Sequence, residues 1–263
     1  DVHVSIEGSG PDVVMIHGFA ASLHTWNDVC STMSKQFRIV RFDLPPFGLT
    51  GPALDEQGQV RKMDVAFYQQ FVDAVLDELQ IKKCVMIGNS FGGFLSWDQA
   101  QRHPERVRGL ILSDAVGYQA PLPIYITLFT IKPIAWLTRY TVPAFLLRMA
   151  VRDVYGDKRK LKKEVLDRYL ELFMHKPNRS AVGQMVGVFT DGEFGSERLP
   201  QIQCKTLIVW GGDDRWVSIE MAGRFNRDLP HSELKVYREV GHIPMEEAPD
   251  RFAADCIDFI EKL

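Results

Sequence analysis

The chain has 263 residues, 46% of them hydrophobic and 25% charged, and a net charge of −3. That balance is ordinary for a folded globular protein with a sizeable core, and it offers no basic excess for a nucleic-acid partner. Cys30, Cys84, Cys204 and Cys256 are widely spaced and form no CxxC pair, which fits reduced, buried thiols better than a disulfide framework or a zinc site. The chain starts at Asp1 with no apolar signal region, and the expected location is the cytoplasm.

Val2 to Ile6 alternates apolar and polar residues, the pattern of a half-exposed edge strand. After a Gly8-Ser9-Gly10-Pro11 turn, Val13 to Ile16 is a continuous apolar strand that runs into the small-residue loop His17-Gly18-Phe19-Ala20-Ala21-Ser22. Trp26 to Met33 reads as a helix and Phe37 to Phe42 as the next strand, closed by Asp43-Leu44-Pro45-Pro46-Phe47-Gly48. A polar, loop-like stretch covers 49–62. A helix beginning at Asp64 then places Phe67, Phe71, Val72, Val75, Leu76 and Leu79 on one face. Strand Cys84–Ile87, a helix ending near His103-Pro104, and strand Val107–Leu112 follow. Continuous apolar strands alternating with helices predict an α/β fold with a mostly parallel, doubly wound sheet covered on both faces.

The alternation stops at 117–199. Prolines 121, 123, 133 and 143 stand among aromatic and aliphatic residues there, followed by helical patterns over Asp157–His175 and Arg179–Thr190. It resumes with strand Thr206–Trp210, helix Ile219–Asp228, strand Glu233–Tyr237 and helix Pro249–Glu261. The expected organisation is one core, 1–116 with 200–263, carrying 117–199 as an inserted helical cap. The run Lys158-Arg159-Lys160-Leu161-Lys162-Lys163 reads as a solvated helix face with Leu161 turned inward. Residues 124–151 are apolar, but Lys132, Arg139 and two prolines interrupt them; a spanning helix needs ~20 uninterrupted apolar residues. A lid over an apolar pocket is expected, with interfacial membrane contact as a second reading.

The chemistry centres on Cys84-Val85-Met86-Ile87-Gly88-Asn89-Ser90-Phe91-Gly92-Gly93. A strand, a Gly-x-Ser-x-Gly turn and a helix in that order place a serine hydroxyl on a sharp, strained turn, with glycines where a Cβ would clash. Ser90 is therefore the candidate nucleophile, and it requires a base. Of the seven histidines, His3, His103, His175 and His231 read as surface. His24 is placed to approach the pocket mouth, and His17 to shape its own loop. His242 follows the last strand at the sheet's carboxyl-end rim and is the expected base. The carboxylate that orients it has three candidates, the adjacent Asp213 and Asp214 after one strand and Asp114 after another. The two N–H donors of an oxyanion hole are expected at Phe91, after the nucleophile, and at Phe19. His17, Gly18, Asn89, Trp97, Trp136 and Met245 are candidate pocket residues.

The set His17-Gly18-Phe19, Asp43-x-x-x-x-Gly48, Gly88-Asn89-Ser90-Phe91-Gly92-Gly93, Gly211-x-x-Asp214-x-x-Val217 and Gly241-His242-x-Pro244-Met245-Glu246 resembles the α/β-hydrolase fold superfamily over nearly the whole chain apart from the cap. The resemblance implies Asp214 as the acid. Pro46 stands where relatives often carry Gly, and the superfamily's usual first strand is not evident before Val2. Ser90 argues against haloalkane dehalogenases and epoxide hydrolases, which use an Asp nucleophile. The elbow is also similar to that of carbon–carbon bond hydrolases of ring-cleavage products, but Ile243 stands where those usually carry Trp. The expectation is a serine carboxylesterase acting on small to medium apolar esters, with no metal or cofactor implied. The alternatives are a carbon–carbon hydrolase of vinylogous diketone acids and a ligand-binding receptor on a hydrolase fold.

Overall fold

A computed structural model describes residues 1–119, 124, 127–128, 131–138, 140–190 and 194–263. Its centre is a seven-stranded sheet built from β1 (Val4–Glu7), β2 (Asp12–Ile16), β3 (Arg38–Phe42), β4 (Cys84–Asn89), β5 (Val107–Ser113), β6 (Lys205–Gly211) and β7 (Ser232–Tyr237), in the spatial order β1-β3-β2-β4-β5-β6-β7. Only the edge strand β1 is antiparallel, pairing Val4 with Phe42 and Glu7 with Ile39; every other neighbour is parallel.

The continuous apolar strands are explained by two cores. Val14, Ile16, Met86, Leu110, Leu112 and Ile208 point to one face, where they pack with residues of α2 (Val65–Glu78) and α3 (Phe91–Arg102). Val13, Met15, Val85, Ile87, Ile111 and Leu207 point to the other, against α1 (Asn27–Met33) and the carboxyl-terminal helix Pro249–Glu261. Successive strand residues face opposite ways, so a sheet covered on both sides needs apolar residues at every position. Burying each large aliphatic side chain contributes about 1.5–3 kcal/mol. Helix α2 starts where the Asp64 side chain accepts the Phe67 N–H at 3.0 Å, an ordinary N-cap.

Between β5 and β6 the chain forms α4 (Lys132–Thr138), α5 (Ala144–Asp153), α6 (Lys163–Met174) and α7 (Lys176–Thr190). Two boundaries differ from the sequence reading. The helix expected over Asp157–His175 is split into a 3₁₀ turn at Lys158–Lys160 and α6, because the Asp157 carboxylate accepts the Arg159 N–H and caps its own short turn. Leu161 is then extended and packs on the core. Helix α7 begins three residues before the expected Arg179, with Pro177 in its first turn, where a missing N–H costs nothing. Prolines 121 and 123 lie outside the described residues. Among the described residues, no helix is long and apolar enough to cross a membrane.

Candidate active site

Ser90 sits between β4 and α3 with φ 54° and ψ −118°, a left-handed conformation that costs a non-glycine residue about 1–3 kcal/mol. Hydrogen bonds to the end of β5, to the segment after it and to α3 hold it there. The Ser90 N–H donates to Ser113 O at 3.0 Å, and Ser90 O accepts from Val116 N at 3.0 Å and Phe94 N at 3.2 Å. The flanking glycines have a steric cause. A Cβ on Gly88 would lie 2.2 Å from Gly92 O, and one on Gly92 would lie 2.2 Å from Ile16 O.

His242 follows β7 in a loop that is buried, with 4% of its surface exposed. Its backbone N–H donates to Val154 O at 2.8 Å, and its carbonyl accepts the Asn89 side-chain amide at 3.0 Å. The ring stacks on Trp216, centroids 5.9 Å apart. Nδ1 lies 2.7 Å from Asp214 Oδ2. The other Asp214 oxygen accepts the N–H groups of Trp216 (2.7 Å) and Val217 (3.0 Å). Because a carboxylate only accepts, Nδ1 donates its proton to Asp214, and in the neutral imidazole that leaves Nε2 as the acceptor. Nε2 has no hydrogen-bond partner among the described residues. Asp213, its neighbour, is exposed.

Asp114, the third acid candidate, is fully buried beside this pair. Its φ is 47°. It accepts from Gly211 N at 2.8 Å and from Ser113 Oγ at 2.9 Å, and one atom each of Asp114, Asp214 and His242 lie within 4.8 Å of one another. Burial, then the Asp214 charge, hold the Asp114 carboxyl well above the usual carboxylate range.

Ser90, His242, Gly18, Phe19 and Asn89 line one cavity of about 570 Å³. The N–H groups of Phe19 and Phe91 have no partner among the described residues, and the Phe91 N–H opens α3 directly after Ser90. The cavity's remaining wall comes largely from the inserted helices, including Leu146, Leu147, Leu170 and Phe173. Among the described lining residues there is no Lys, Arg, Asp or Glu. The hydroxyl of Tyr169 is committed to Glu246, 2.8 Å away, and that of Tyr118 to Asp228, also 2.8 Å away.

Four other expected pocket residues are not on the wall. His17 is fully buried, donating Nδ1–H to Gly18 O and accepting the Leu44 N–H at Nε2, each at 2.8 Å. Both nitrogens are therefore used, and burial lowers its basicity; it shapes the loop. Met245 and Trp97 are fully buried, Met245 in the core under the sheet and Trp97 with its Nε1–H on Val116 O. Trp136 is 59% exposed and packs on Tyr140 instead. His24 does not reach the pocket mouth but stacks on His3, ring centroids 6.0 Å apart.

Sequence reading missed the supports of the His242 loop. Glu247 accepts the N–H groups of Gly241 (2.6 Å), Gly156 (2.9 Å) and Asp157 (2.9 Å). Glu246 accepts hydroxyls of Thr25, Tyr155 and Tyr169, and burial raises its carboxyl above the ordinary range. The one available signal was two acidic residues close after His242 beside an apolar segment.

The family model for the alpha/beta hydrolase fold matches residues 11–249. An uncharacterized hydrolase of Bacillus subtilis (strain 168), YugF, is 29% identical over 95% of this chain and 89% of its own length. A 2-hydroxy-6-oxononadienedioate/2-hydroxy-6-oxononatrienedioate hydrolase of a Pseudomonas species is 27% identical over 99% of this chain and 92% of its own. In structure, a thermophilic esterase from Thermogutta terrifontis superposes with a TM-score of 0.84 at 21% identity, covering 99% of this chain and 93% of the esterase.

Proposed function

The chain belongs to the alpha/beta hydrolase fold family and is a hydrolase, and from that premise we propose that it is a serine carboxylesterase for small to medium, uncharged, largely apolar esters. Ser90 Oγ attacks the ester carbonyl carbon while His242 Nε2 takes its proton. The oxyanion forms against the Phe19 and Phe91 N–H groups. His242 returns the proton to the departing alcohol, leaving an acyl group on Ser90. A water then attacks that acyl carbon, giving its proton to His242; collapse of the tetrahedral adduct breaks the bond to Ser90 Oγ, which takes that proton back from His242 as the carboxylic acid leaves. Asp214 fixes the tautomer and stabilises the imidazolium. The inserted helices act as the cap, their apolar inner faces receiving the acyl or alcohol chain.

The observation that carries this reading over its rival is the absence of a cationic side chain among the described lining residues. A vinylogous diketone acid brings a carboxylate, and an ionised carboxylate in a largely apolar cavity that offers neutral polar groups such as Gln119 and Thr141 but no described cation is poorly compensated for its lost solvation. The rival carbon–carbon hydrolysis is favoured by the likeness to the Pseudomonas enzyme. Turnover of a p-nitrophenyl ester series beside a 2-hydroxy-6-oxo-dienoic acid separates the two. The expected result is kcat/KM for the esters well above that for the acid; a strong preference for the acid overturns the esterase reading. Labelling of Ser90 by a fluorophosphonate without turnover of any ester would instead favour a ligand-binding role.

A further inference from the structure

The segment from 124 to 163 differs in charge from the rest of the molecule. It contains nine Lys and Arg against two Asp and Glu, a balance of +7 in a chain whose net charge is −3. The same segment exposes large apolar side chains. On α5, Phe145 is 59% and Met149 51% exposed, while Arg148 and Arg152 are exposed beside them. These four stand at i, i+3, i+4 and i+7, one stripe on one helix face. Just upstream, Trp136 is 59% and Tyr140 64% exposed, with their rings 5.1 Å apart; Leu137, between them and 50% exposed, also lines the cavity of Ser90. The opposite face of α5 is already used, since Leu146, Leu147, Ala150 and Val151 line the cavity of Ser90.

We propose that the outer face of α4 and α5 docks on an anionic lipid bilayer, lying in its interface. Single exposed apolar residues need no explanation, but a group of aromatic and aliphatic ones within one short segment marks an interaction site. Tryptophan and tyrosine favour the headgroup level of a bilayer. Phenylalanine and methionine insert below it while arginine meets anionic headgroups, each basic residue contributing about 1 kcal/mol near such a surface. Neither Arg148 nor Arg152 has an acidic partner among the described residues. A second copy of this chain fits the face poorly, because it would bring the exposed Arg148 and Arg152 of both copies together. A spanning mode is not available to the described helices. The docked helix would have lipid on one side and the cavity on the other, so an acyl ester leaving the bilayer meets the cavity wall first. That last step rests on the proposed esterase reading; the docking does not.

The test is sedimentation of the full chain with phosphatidylcholine vesicles, with and without phosphatidylserine, at low and high salt. The expected result is binding that requires phosphatidylserine and weakens with salt. The double variant Arg148→Glu/Arg152→Glu should weaken it at least about tenfold, and Phe145→Ser/Met149→Ser should weaken it at either salt. None of these four side chains lines the cavity, so turnover of a soluble p-nitrophenyl ester should be unchanged, which also shows that the variants are folded. Failure to sediment with phosphatidylserine vesicles overturns the proposal. So does equal binding to both vesicle types, or a dimer in solution that the same substitutions dissociate. A chain that binds vesicles but hydrolyses no ester leaves the docking standing and sinks the esterase reading.

Discussion

Asn89 and His242, 153 positions apart, are joined by a 3.0 Å hydrogen bond from the Asn89 side-chain amide to the His242 carbonyl oxygen. The same amide reaches Ser113 O at 3.2 Å. One residue beside Ser90 thus ties together β4, β5 and the His242 loop. Asn89→Leu removes the amide donor and leaves the buried His242 carbonyl unsatisfied, while Ser113 O keeps the Ser90 N–H, at a cost of about 1–3 kcal/mol in urea unfolding. It should also lower kcat by roughly tenfold, with KM little changed, because the imidazole is less well held. Lost stability with unchanged kcat would limit Asn89 to packing.

Asp214→Asn keeps the shape but presents an amide to His242 Nδ1, favouring the wrong tautomer. By the behaviour of such triads, kcat should fall by about 10⁴, while Ser90→Ala abolishes ester turnover and fluorophosphonate labelling. Steady-state kinetics on one soluble ester measures both. An Asp214→Asn enzyme within a few-fold of the parent would shift the acid's role to Asp114.

Asp114 links the site to pH. Its carboxyl is held above the ordinary 3.8 by burial and then by the Asp214 charge. A raised carboxyl favours the protonated form in the folded state. Its stabilising contribution is whole below 3.8 and is lost as pH climbs from there through the folded value, because the unfolded chain releases its proton first. Asp114→Asn has no such proton to release. Its melting temperature should therefore gain on the parent as pH rises from about 4 toward neutrality, followed by differential scanning calorimetry. A constant difference across that range would mean that Asp114 ionises normally.

Glu247 accepts three backbone N–H groups, from Gly241, Gly156 and Asp157, while His242 N donates to Val154 O. The His242 loop and the segment that follows α5 are therefore held by one carboxylate. Glu247→Ala should destabilise the protein by about 2–3 kcal/mol. It should also speed amide exchange at Gly156 and Gly241, read by hydrogen–deuterium exchange. Unchanged exchange at those two amides would rule out Glu247 as the anchor.

Much of this was legible in the chain itself. Val13 to Ile16 and Cys84 to Ile87 read as buried strands because their continuous apolar runs have no other home in a protein of this composition. Gly88 and Gly92 read as close-contact positions, and the contacts of 2.2 Å that a Cβ would meet give the reason. The same local logic did not say where Trp136 and Met245 would pack. Hydrophobicity indicates that a side chain seeks cover, not which surface provides it. Met245 found the core under the sheet, and Trp136 remained on the outer face of the inserted helices.

Sequence by itself determined the order of strands and helices, the strained turn at Ser90 and the histidine that follows the last strand, because each rests on steric and periodic rules acting within a few residues. The spacing Gly211-x-x-Asp214-x-x-Val217 already implies Asp214 over Asp213 by resemblance, and tertiary structure adds the contact, setting Asp214 at 2.7 Å from His242 and leaving Asp213 exposed. Tertiary structure alone brought Asp114 beside that pair and gave the cavity an apolar wall among its described residues. Those outcomes depend on side chains from distant segments converging in a low-dielectric space, and spacing along the chain does not specify how far apart such groups come to lie.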